Sequence, residues 1–219
     1  SATSAGRQVH RPALTEGTTA DVCIVGAGFF GMYCALEMAR AGKKVVAVEA
    51  SRVGWGASGR NGGFCEASIT HGEPNAESRW PEEVDTLRRL GYENLDAIEQ
   101  FIREHNLDVD YERTGQLSVA NEPYQAEWVG ESPDPHVVAL SAAEVQQRVA
   151  SPTFLAGEFS PRENANVHPA KLAAELARYA HEIGVDIYEE TRVLSLSGQA
   201  DAPLPLATDR GTVTAERAP

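Results

Sequence analysis

The chain has 219 residues, a net charge of −13 at pH 7 and apolar residues at 42% of its positions. That charge argues against nucleic acids and anionic membrane surfaces as partners, because both would repel it. No apolar run approaches the roughly 20 residues of a membrane-spanning helix, and the first twenty residues lack the apolar core of a secretory signal. Three cysteines without paired spacing favour neither a disulfide framework nor a metal site. We therefore expect a cytoplasmic protein that begins with a flexible arm over residues 1–19.

Residues 21–49 predict a strand, a glycine-rich turn, a helix and a second strand. β-Branched residues at 22–25 and 45–48 favour the two strands. Met32, Ala35, Leu36 and Ala39 between them have helical spacing, and Gly42 follows where a helix ends. The segment is therefore interpreted as a βαβ unit.

The turn of this unit carries the spacing of a dinucleotide-binding loop. Gly26 allows a sharp turn, Gly28 allows the backbone to approach a pyrophosphate, and Gly31 allows the helix to pack closely on the strand. Glu49 follows Gly31 by 49 − 31 = 18 residues, near the spacing of roughly 20 at which a carboxylate binds the adenosine ribose. An acid at this position disfavours a 2′-phosphate, so the sequence predicts a dinucleotide other than NADP.

A second glycine-rich loop follows directly, in the sequence ASRVGWGASGRNGGF of residues 50–64. Its glycines free the backbone to approach a ligand, and Ser58, Arg60 and Asn61 supply hydrogen-bond donors. An NAD domain has no need of such a loop here, so the pattern favours a flavin dinucleotide.

These two motifs resemble those of the FAD-dependent oxidoreductases in the D-amino-acid oxidase, glycine oxidase and sarcosine oxidase superfamily. The resemblance is strongest to the branch that includes gamma-glutamylputrescine oxidase, where GASGRNGG, here residues 56–63, follows the ribose acid. It runs from about residue 20 to the end of the chain and includes VHPAKLAAELARYAHEIGVDIYEETRV at 167–193. By position, the resemblance implies contacts to FAD from these residues: Gly26, Gly28, Phe29, Phe30, Gly31, Glu49, Ala50, Ser51, Gly56, Ala57, Ser58, Arg60, Asn61, Gly62, Gly63 and Val193.

The resemblance also implies an activity and a fold. The substrate would be an amine or amino acid that gives a hydride to the flavin, after which water hydrolyses the imine and oxygen reoxidises the cofactor with release of peroxide. The flavin would be held non-covalently, because residues 54–63 contain neither histidine nor cysteine. The fold class is α/β: a Rossmann-like FAD-binding domain with part of an inserted α+β substrate domain, and with the C-terminal half absent.

The expected domains are an FAD-binding βαβ unit with its second loop over 20–80, part of the substrate domain over 81–160, and an incomplete return to the FAD-binding domain over 161–219. Within them we expect one bent helix or two over 81–106, weakened by Gly91, and a strand over 111–120. A short helix begins at Pro123 and stops by Gly130, either as a shortened surface element or because residues are missing there. Pro169 to Gly184 predicts a helix, and a strand follows it.

No catalytic residue can be assigned from the sequence. Cys65, Glu66 and His71 follow the second loop, but such loop residues are more often bystanders.

Enzymes of the resembled family are much longer, and the sequence stops where they continue into another sheet strand. The chain is therefore expected to be a fragment, one chain of a split enzyme, or a remnant, with a second chain carrying the C-terminal half or a homo-oligomer as partner. Two other functions stay open: a dinucleotide-binding subunit without turnover, and, less favoured, half of an NAD-linked dehydrogenase.

Overall fold

The computed structural model describes residues 10–132, 134–198 and 202–217. It divides into two compact units. The first contains the described residues up to Gly63, together with His105–Asp110 and those from His168 onwards; the second contains Phe64–Glu104 and Tyr111–Val167. The sequence predicted boundaries at 80 and 160 instead, and the assignment of functions to these parts stays a prediction.

Within the described residues the chain forms eleven strands and five α-helices. The strands are β1 Thr18–Val25, β2 Val45–Val48, β3 Phe64–Glu66, β4 Gln116–Ala120, β5 Val138–Ser141, β6 Ala156–Ser160, β7 Asn164–Asn166, β8 Asp186–Tyr188, β9 Val193–Leu196, β10 Leu204–Thr208 and β11 Thr212–Arg217. The helices are α1 Phe29–Arg40, α2 Glu73–Arg79, α3 Val84–Glu104, α4 Ala142–Arg148 and α5 Pro169–Glu182.

The first unit is built on a six-stranded sheet in the order β8-β2-β1-β11-β10-β9. The four strands β8, β2, β1 and β11 run parallel, and β9, β10 and β11 form an antiparallel meander. All four residues of β2 are buried, as a continuous valine-rich strand covered on both faces requires. Helix α1 buries its predicted face of Met32, Ala35 and Leu36. The predicted βαβ unit and the α/β fold class are thus confirmed.

The carboxyl ends of β1 and β2 lead into the two glycine-rich loops. Because parallel strands end at the same sheet edge, this topology brings the loops together. β1 and β11 are paired from Thr18↔Val213 to Val22↔Arg217, and Val25 at the other end of β1 is 50% exposed. The segment at 212–217 lies between β1 and β10 and is a central strand of this sheet. That the sheet lacks a further strand stays a prediction.

The predicted flexible arm is wrong for residues 10–19. Leu14 is only 2% exposed and belongs to the core that lies against the sheet. Its backbone amide donates to the Thr191 hydroxyl at 3.0 Å, and β1 already begins at Thr18. The hydrophobic effect and this hydrogen bond hold the segment in place. Residues 1–9 lie outside the described residues.

The second unit contains an antiparallel sheet in the order β4-β6-β5 and a short antiparallel pair, β3 and β7. Its longest element, α3, is one continuous helix of 21 residues, preceded by a 3₁₀ turn at Pro81–Glu83. Gly91 lies inside this helix without breaking it, and a Cβ there would lie 2.3 Å from the Ala67 carbonyl oxygen. The glycine gives up about 1 kcal/mol of helix propensity and permits this close backbone approach.

Two predicted elements of this unit are shorter than expected. The strand predicted over 111–120 is formed only at Gln116–Ala120, because Gly115 just before it has a left-handed φ of 69° that interrupts the extended backbone. The Tyr111 and Arg113 side chains bind the Glu99 carboxylate at 3.1 and 2.9 Å. The predicted short helix is a 3₁₀ helix over Pro123–Trp128. By contrast, α5 and the strand after it lie where the sequence placed them.

Candidate dinucleotide site

The first glycine loop joins β1 to α1 and depends on two glycines for its shape. Gly26 has a left-handed φ of 100°, and its amide donates to the Val48 carbonyl at 2.8 Å. A Cβ on Gly31 would lie 2.0 Å from the Gly26 carbonyl oxygen, so a side chain is excluded there. The first turn of α1 thus begins tightly against β1, with its N-terminal backbone N–H groups at the end of the strand.

The second loop repeats the Gly-x-Gly-x-x-Gly spacing at Gly54, Gly56 and Gly59. Gly54 also has a left-handed φ, of 68°, and a Cβ on Gly59 would lie 2.2 Å from the Gly54 carbonyl oxygen. The loop continues into a single 3₁₀ turn, Ala57–Gly59. Both loops therefore use their first and third glycines in the same way.

Two hydrogen bonds join the loops to each other. The Gly54 amide donates to the Ala27 carbonyl at 3.0 Å, and the Phe29 amide donates to the Ser58 hydroxyl at 3.0 Å. A Cβ on Gly28 would lie 2.8 Å from the same hydroxyl oxygen. Ser58 therefore stands at the N-terminus of α1, where the helix dipole favours an anion.

The Glu49 carboxylate follows β2 and is held by both neighbouring segments. One oxygen accepts from the Ala27 amide at 2.9 Å, and the other accepts from the Ser51 amide at 2.8 Å. Each oxygen keeps a further lone pair, so the carboxylate can still accept hydrogen bonds from two hydroxyl groups. Its geometry is fixed before any ligand binds.

A cavity of about 420 Å³ lies between the loops in the first unit. Its lining brings together seven residues predicted to bind the cofactor: Gly28, Glu49, Ala50, Ser51, Gly56, Ala57 and Ser58. It also includes Gly54, Trp55 and Arg192, which were not in the predicted set. For Trp55, the one feature of the sequence that could have indicated a place in the site is its position between two loop glycines. For Arg192, the only such feature is that it precedes Val193, which was predicted to contact the cofactor.

The other predicted residues lie outside this lining. Gly26, Phe29 and Gly31 shape the first loop, while the Phe30 side chain is 82% exposed. Val193 packs against the sheet core from β9. Whether these residues touch a cofactor stays a prediction.

Arg60 and Asn61, predicted as donors to the ligand, brace their own loop. The Arg60 guanidinium lies over the Trp55 ring at 4.2 Å and donates to the Trp55 carbonyl at 2.6 Å. The Asn61 amide group donates to the carbonyls of Ala57 and Ser58, and its oxygen accepts from the Gly63 amide. Gly63 has a left-handed φ of 78°, and Gly62 lies between these two residues.

Residues of this site fit an adenine dinucleotide. A carboxylate with free lone pairs, a helix N-terminus and a glycine backbone without side chains are the groups that bind ribose and pyrophosphate. The second loop extends the same backbone surface beyond a single βαβ unit.

The described residues after the second loop do not form an evident catalytic cluster. Burial raises the pKa of the Cys65 thiol, which keeps it protonated and a poor nucleophile. His71 is exposed in a loop with a φ of 59°. Among the described residues, no group of histidines, cysteines and acids could hold a metal ion.

Glu66 lines a cavity of about 530 Å³ within the second unit, together with Tyr92 and Asp134. The Tyr92 hydroxyl lies 3.4 Å from the Asp134 carboxylate. Burial, together with the charges of Glu163 and Asp134, raises the pKa of Tyr92 to about 12. The lining of this cavity includes the carboxylates of Glu66, Asp134 and Glu163 and the guanidinium of Arg88.

The fold and the cavity between the two loops define a Rossmann-like dinucleotide-binding protein. The family model described as FAD dependent oxidoreductase (DAO) matches residues 21–218, and the chain belongs to this family. Both the predicted resemblance and FAD as the cofactor are thereby confirmed. No helix among the described residues is long and apolar enough to cross a membrane.

Several characterised proteins are similar to the chain. Gamma-glutamylputrescine oxidoreductase of Escherichia coli (strain K12) is 33% identical over 225 aligned positions, which cover 98% of this chain and 51% of that protein. Glycine oxidase of Bacillus licheniformis is 27% identical over 90% of this chain and 52% of its own. The crystal structure of glycine oxidase from Geobacillus kaustophilus has a TM-score of 0.73 at 24% identity, covering 92% of this chain and 54% of that one. The chain thus spans about half the length of the relatives it matches.

Proposed function

We propose that this chain is the FAD-binding N-terminal portion of an oxidase that takes two electrons from an amine or amino acid. The observation that carries the proposal is the fixed Glu49 carboxylate in one cavity with both glycine loops. The names of two relatives specify gamma-glutamylputrescine and glycine as substrates, and both compounds contain an amine.

In this proposal each part of the site has a separate task. Glu49 accepts hydrogen bonds from the adenosine ribose, the first turn of α1 donates to the pyrophosphate, and the second loop continues along the cofactor. Bound FAD supplies the two-electron acceptor for the carbon that bears the amine. The protein contributes orientation and electrostatics, and the carboxylate at 49 disfavours the 2′-phosphate of NADP.

The remaining half of the enzyme is proposed as the partner of this chain. Val25 and Phe30, at the end of β1 and the start of α1, are large apolar residues with high exposure. Exposed apolar surface of this kind favours a covering partner. We expect a second chain or the C-terminal half of the same polypeptide, or else a homo-oligomer.

A non-catalytic dinucleotide-binding subunit is the second candidate function. The observation that favours it is that the residues lining the cavity between the loops account for dinucleotide binding without any turnover.

One experiment separates these functions. The 219-residue chain is purified alone and together with the C-terminal half, and each sample is measured for its visible spectrum, polypeptide masses and peroxide release on a panel of amines and amino acids. We expect flavin bands and peroxide only with both halves present. Flavin bands without peroxide would support the binding subunit, released nicotinamide would contradict FAD, and turnover at ~1–10³ per second by a monomer of this chain would contradict the need for a partner.

The same samples test how the flavin is held. Acid precipitation should leave the yellow colour in the supernatant, because residues 54–63 offer no histidine or cysteine for a covalent bond. Colour that stays in the pellet and maps to a peptide between Val53 and Phe64 would contradict non-covalent binding.

A further inference from the structure

A buried carboxylate outside the cavity holds the second glycine loop in place. Glu189 is 3% exposed and follows β8. One of its oxygens accepts from the Val53 amide at 2.9 Å. Val53 directly precedes Gly54, whose amide in turn donates to Ala27 of the first loop. Glu189 is therefore hydrogen-bonded to the residue directly before Gly54, which lines the cofactor cavity.

The bond to Val53 extends a row of contacts between two backbone segments. The Thr191 amide donates to the Glu49 carbonyl, and the Glu190 amide donates to the Ser51 carbonyl, both at 2.9 Å. At Val53 the direction is reversed: the backbone amide donates, and the Glu189 carboxylate accepts. The segment 189–191 thus fixes alternate residues from Glu49 to Val53.

The opposite side of this segment is covered by the N-terminal residues. The Glu189 amide donates to the Pro12 carbonyl at 3.1 Å, and the second carboxylate oxygen accepts from the Arg11 amide at 3.2 Å. The Arg11 guanidinium lies 3.9 Å from the carboxylate. Burial lowers the pKa of Arg11, and the Glu189 charge opposes that shift. The carboxylate is therefore satisfied by two backbone N–H groups and a neighbouring cation, as a buried charge requires.

We infer that Glu189 is a positioning residue for the cofactor, and that residues 11–14 form an outer clasp that acts through it. This inference rests on the proposed function, because it concerns the affinity of the same FAD site. Glutamine at 189 can accept only one of the two backbone hydrogen bonds, since its NH₂ group would meet an N–H donor. The Val53 amide or the clasp would then lose its partner, and the loop would no longer be fixed before binding.

The experiment measures the FAD dissociation constant by flavin fluorescence in the protein with its C-terminal half present. Glu189→Gln should raise this constant roughly tenfold, the factor that about 1.4 kcal/mol represents. Asp21→Asn is the matched control, because Asp21 also accepts a backbone N–H, from Lys44 at 2.8 Å, just before the start of β2 and at the end of that strand away from the loops. The control should leave the constant within twofold of the unsubstituted protein.

A second arm tests the clasp. Removal of the residues up to Pro12 should also weaken FAD binding, and adding Glu189→Gln to this deletion should cause little further loss, because both act through one carboxylate. Hydrogen exchange at the Val53 amide should quicken in each variant and stay unchanged in Asp21→Asn. Equal FAD affinity of Glu189→Gln and the unsubstituted protein would overturn the inference, and so would fully additive effects. Absence of FAD binding in the unsubstituted protein would instead overturn the proposed function.

Discussion

The two glycine loops share one spacing but lead into different structures. In each loop the first glycine has a left-handed φ, and a Cβ on the third would lie within 2.0 to 2.2 Å of the carbonyl oxygen of the first. The first loop continues into the 12-residue helix α1, whereas the second continues into three residues of 3₁₀ helix.

The residues after each loop account for the difference. After Gly31, Met32, Ala35 and Leu36 give the helix a face to bury against the sheet, and such burial stabilises a helix more than propensity does. After Gly59 the sequence RNGGF offers no such face, and the 3₁₀ turn buries no residue. Glycine spacing therefore specifies the turn, while the apolar pattern after it decides between a long α-helix and a short 3₁₀ turn.

The largest effect is expected from Gly31→Ala. The added methyl group would meet the Gly26 carbonyl oxygen, which β1 and the bond to Val48 hold in place. The free energy of unfolding should fall by about 3 kcal/mol or more, the upper end of overpacking effects. Urea unfolding of the protein without cofactor measures it. A loss below about 1 kcal/mol would show that the first loop can shift to accommodate the methyl group and is no more rigid than the second loop.

Gly59→Ala is the corresponding change in the second loop. Its methyl group would meet the Gly54 carbonyl oxygen, but the 3₁₀ turn buries no residue and can move more easily than α1, so we expect a loss of about 1–2 kcal/mol in the same measurement. Gly56→Ala is the control, because its φ is −76° and nothing lies within 4 Å of the added atom; its effect should stay within about 1 kcal/mol. Equal losses at Gly59 and Gly31 would mean that both loops are equally rigid.

Ser58→Ala tests the connection between the loops. It removes the acceptor of the Phe29 amide at the start of α1, so the free energy of unfolding should fall by about 0.5–1.5 kcal/mol. Ser51→Ala serves as the reference, because Ser51 binds Glu49 through its backbone amide, which the substitution keeps. If the two variants had the same stability, the Phe29–Ser58 bond would contribute nothing to joining the loops.

The smallest expected effect is a difference in local opening next to the two loops, which the rate of thiol labelling measures. Cys23 precedes the first loop in β1, is fully buried, and has a pKa raised by burial to about 11. Cys65 follows the second loop in β3 and is partly exposed, with a pKa that burial also raises. At pH 8, in a variant with Cys34 replaced by alanine, a maleimide should modify Cys65 well before Cys23. Modification of Cys23 at the same rate would contradict a more rigid first loop.

Local patterns predicted the cofactor-binding unit well. Runs of β-branched residues predicted β1 and β2, helical spacing of apolar residues predicted α1 and α5, and the glycine positions predicted both loops. Each of these signals lies within a few residues of the structure it specifies, so a single sequence is enough to find it. Glu49 could also be found from the single sequence, because it was predicted from its spacing of 18 residues after Gly31.

Contacts between distant residues account for what the sequence did not predict. Leu14 and Thr191 are 177 residues apart, and Arg11 and Glu189 are 178 apart, so the clasp could not be found from local composition. The segment at 111–115 shows strand-like alternation, but Gly115 takes a left-handed φ of 69°, and the Tyr111 and Arg113 side chains bind the distant Glu99 on α3. Arg192 lines the cavity because the residue before it, Thr191, is hydrogen-bonded to the backbone of Glu49.

The most direct test of the site is whether Glu49 binds the adenosine ribose of FAD. Dissociation constants of FAD and of an analogue with 2′-deoxyadenosine are measured for the protein with its C-terminal half, unsubstituted and as Glu49→Ala. We expect Glu49→Ala to weaken FAD binding by about 1–3 kcal/mol, and the analogue to bind more weakly than FAD only when Glu49 is present. Unchanged FAD affinity in the variant, or an equal deficit of the analogue in both proteins, would contradict a ribose-binding role for this carboxylate.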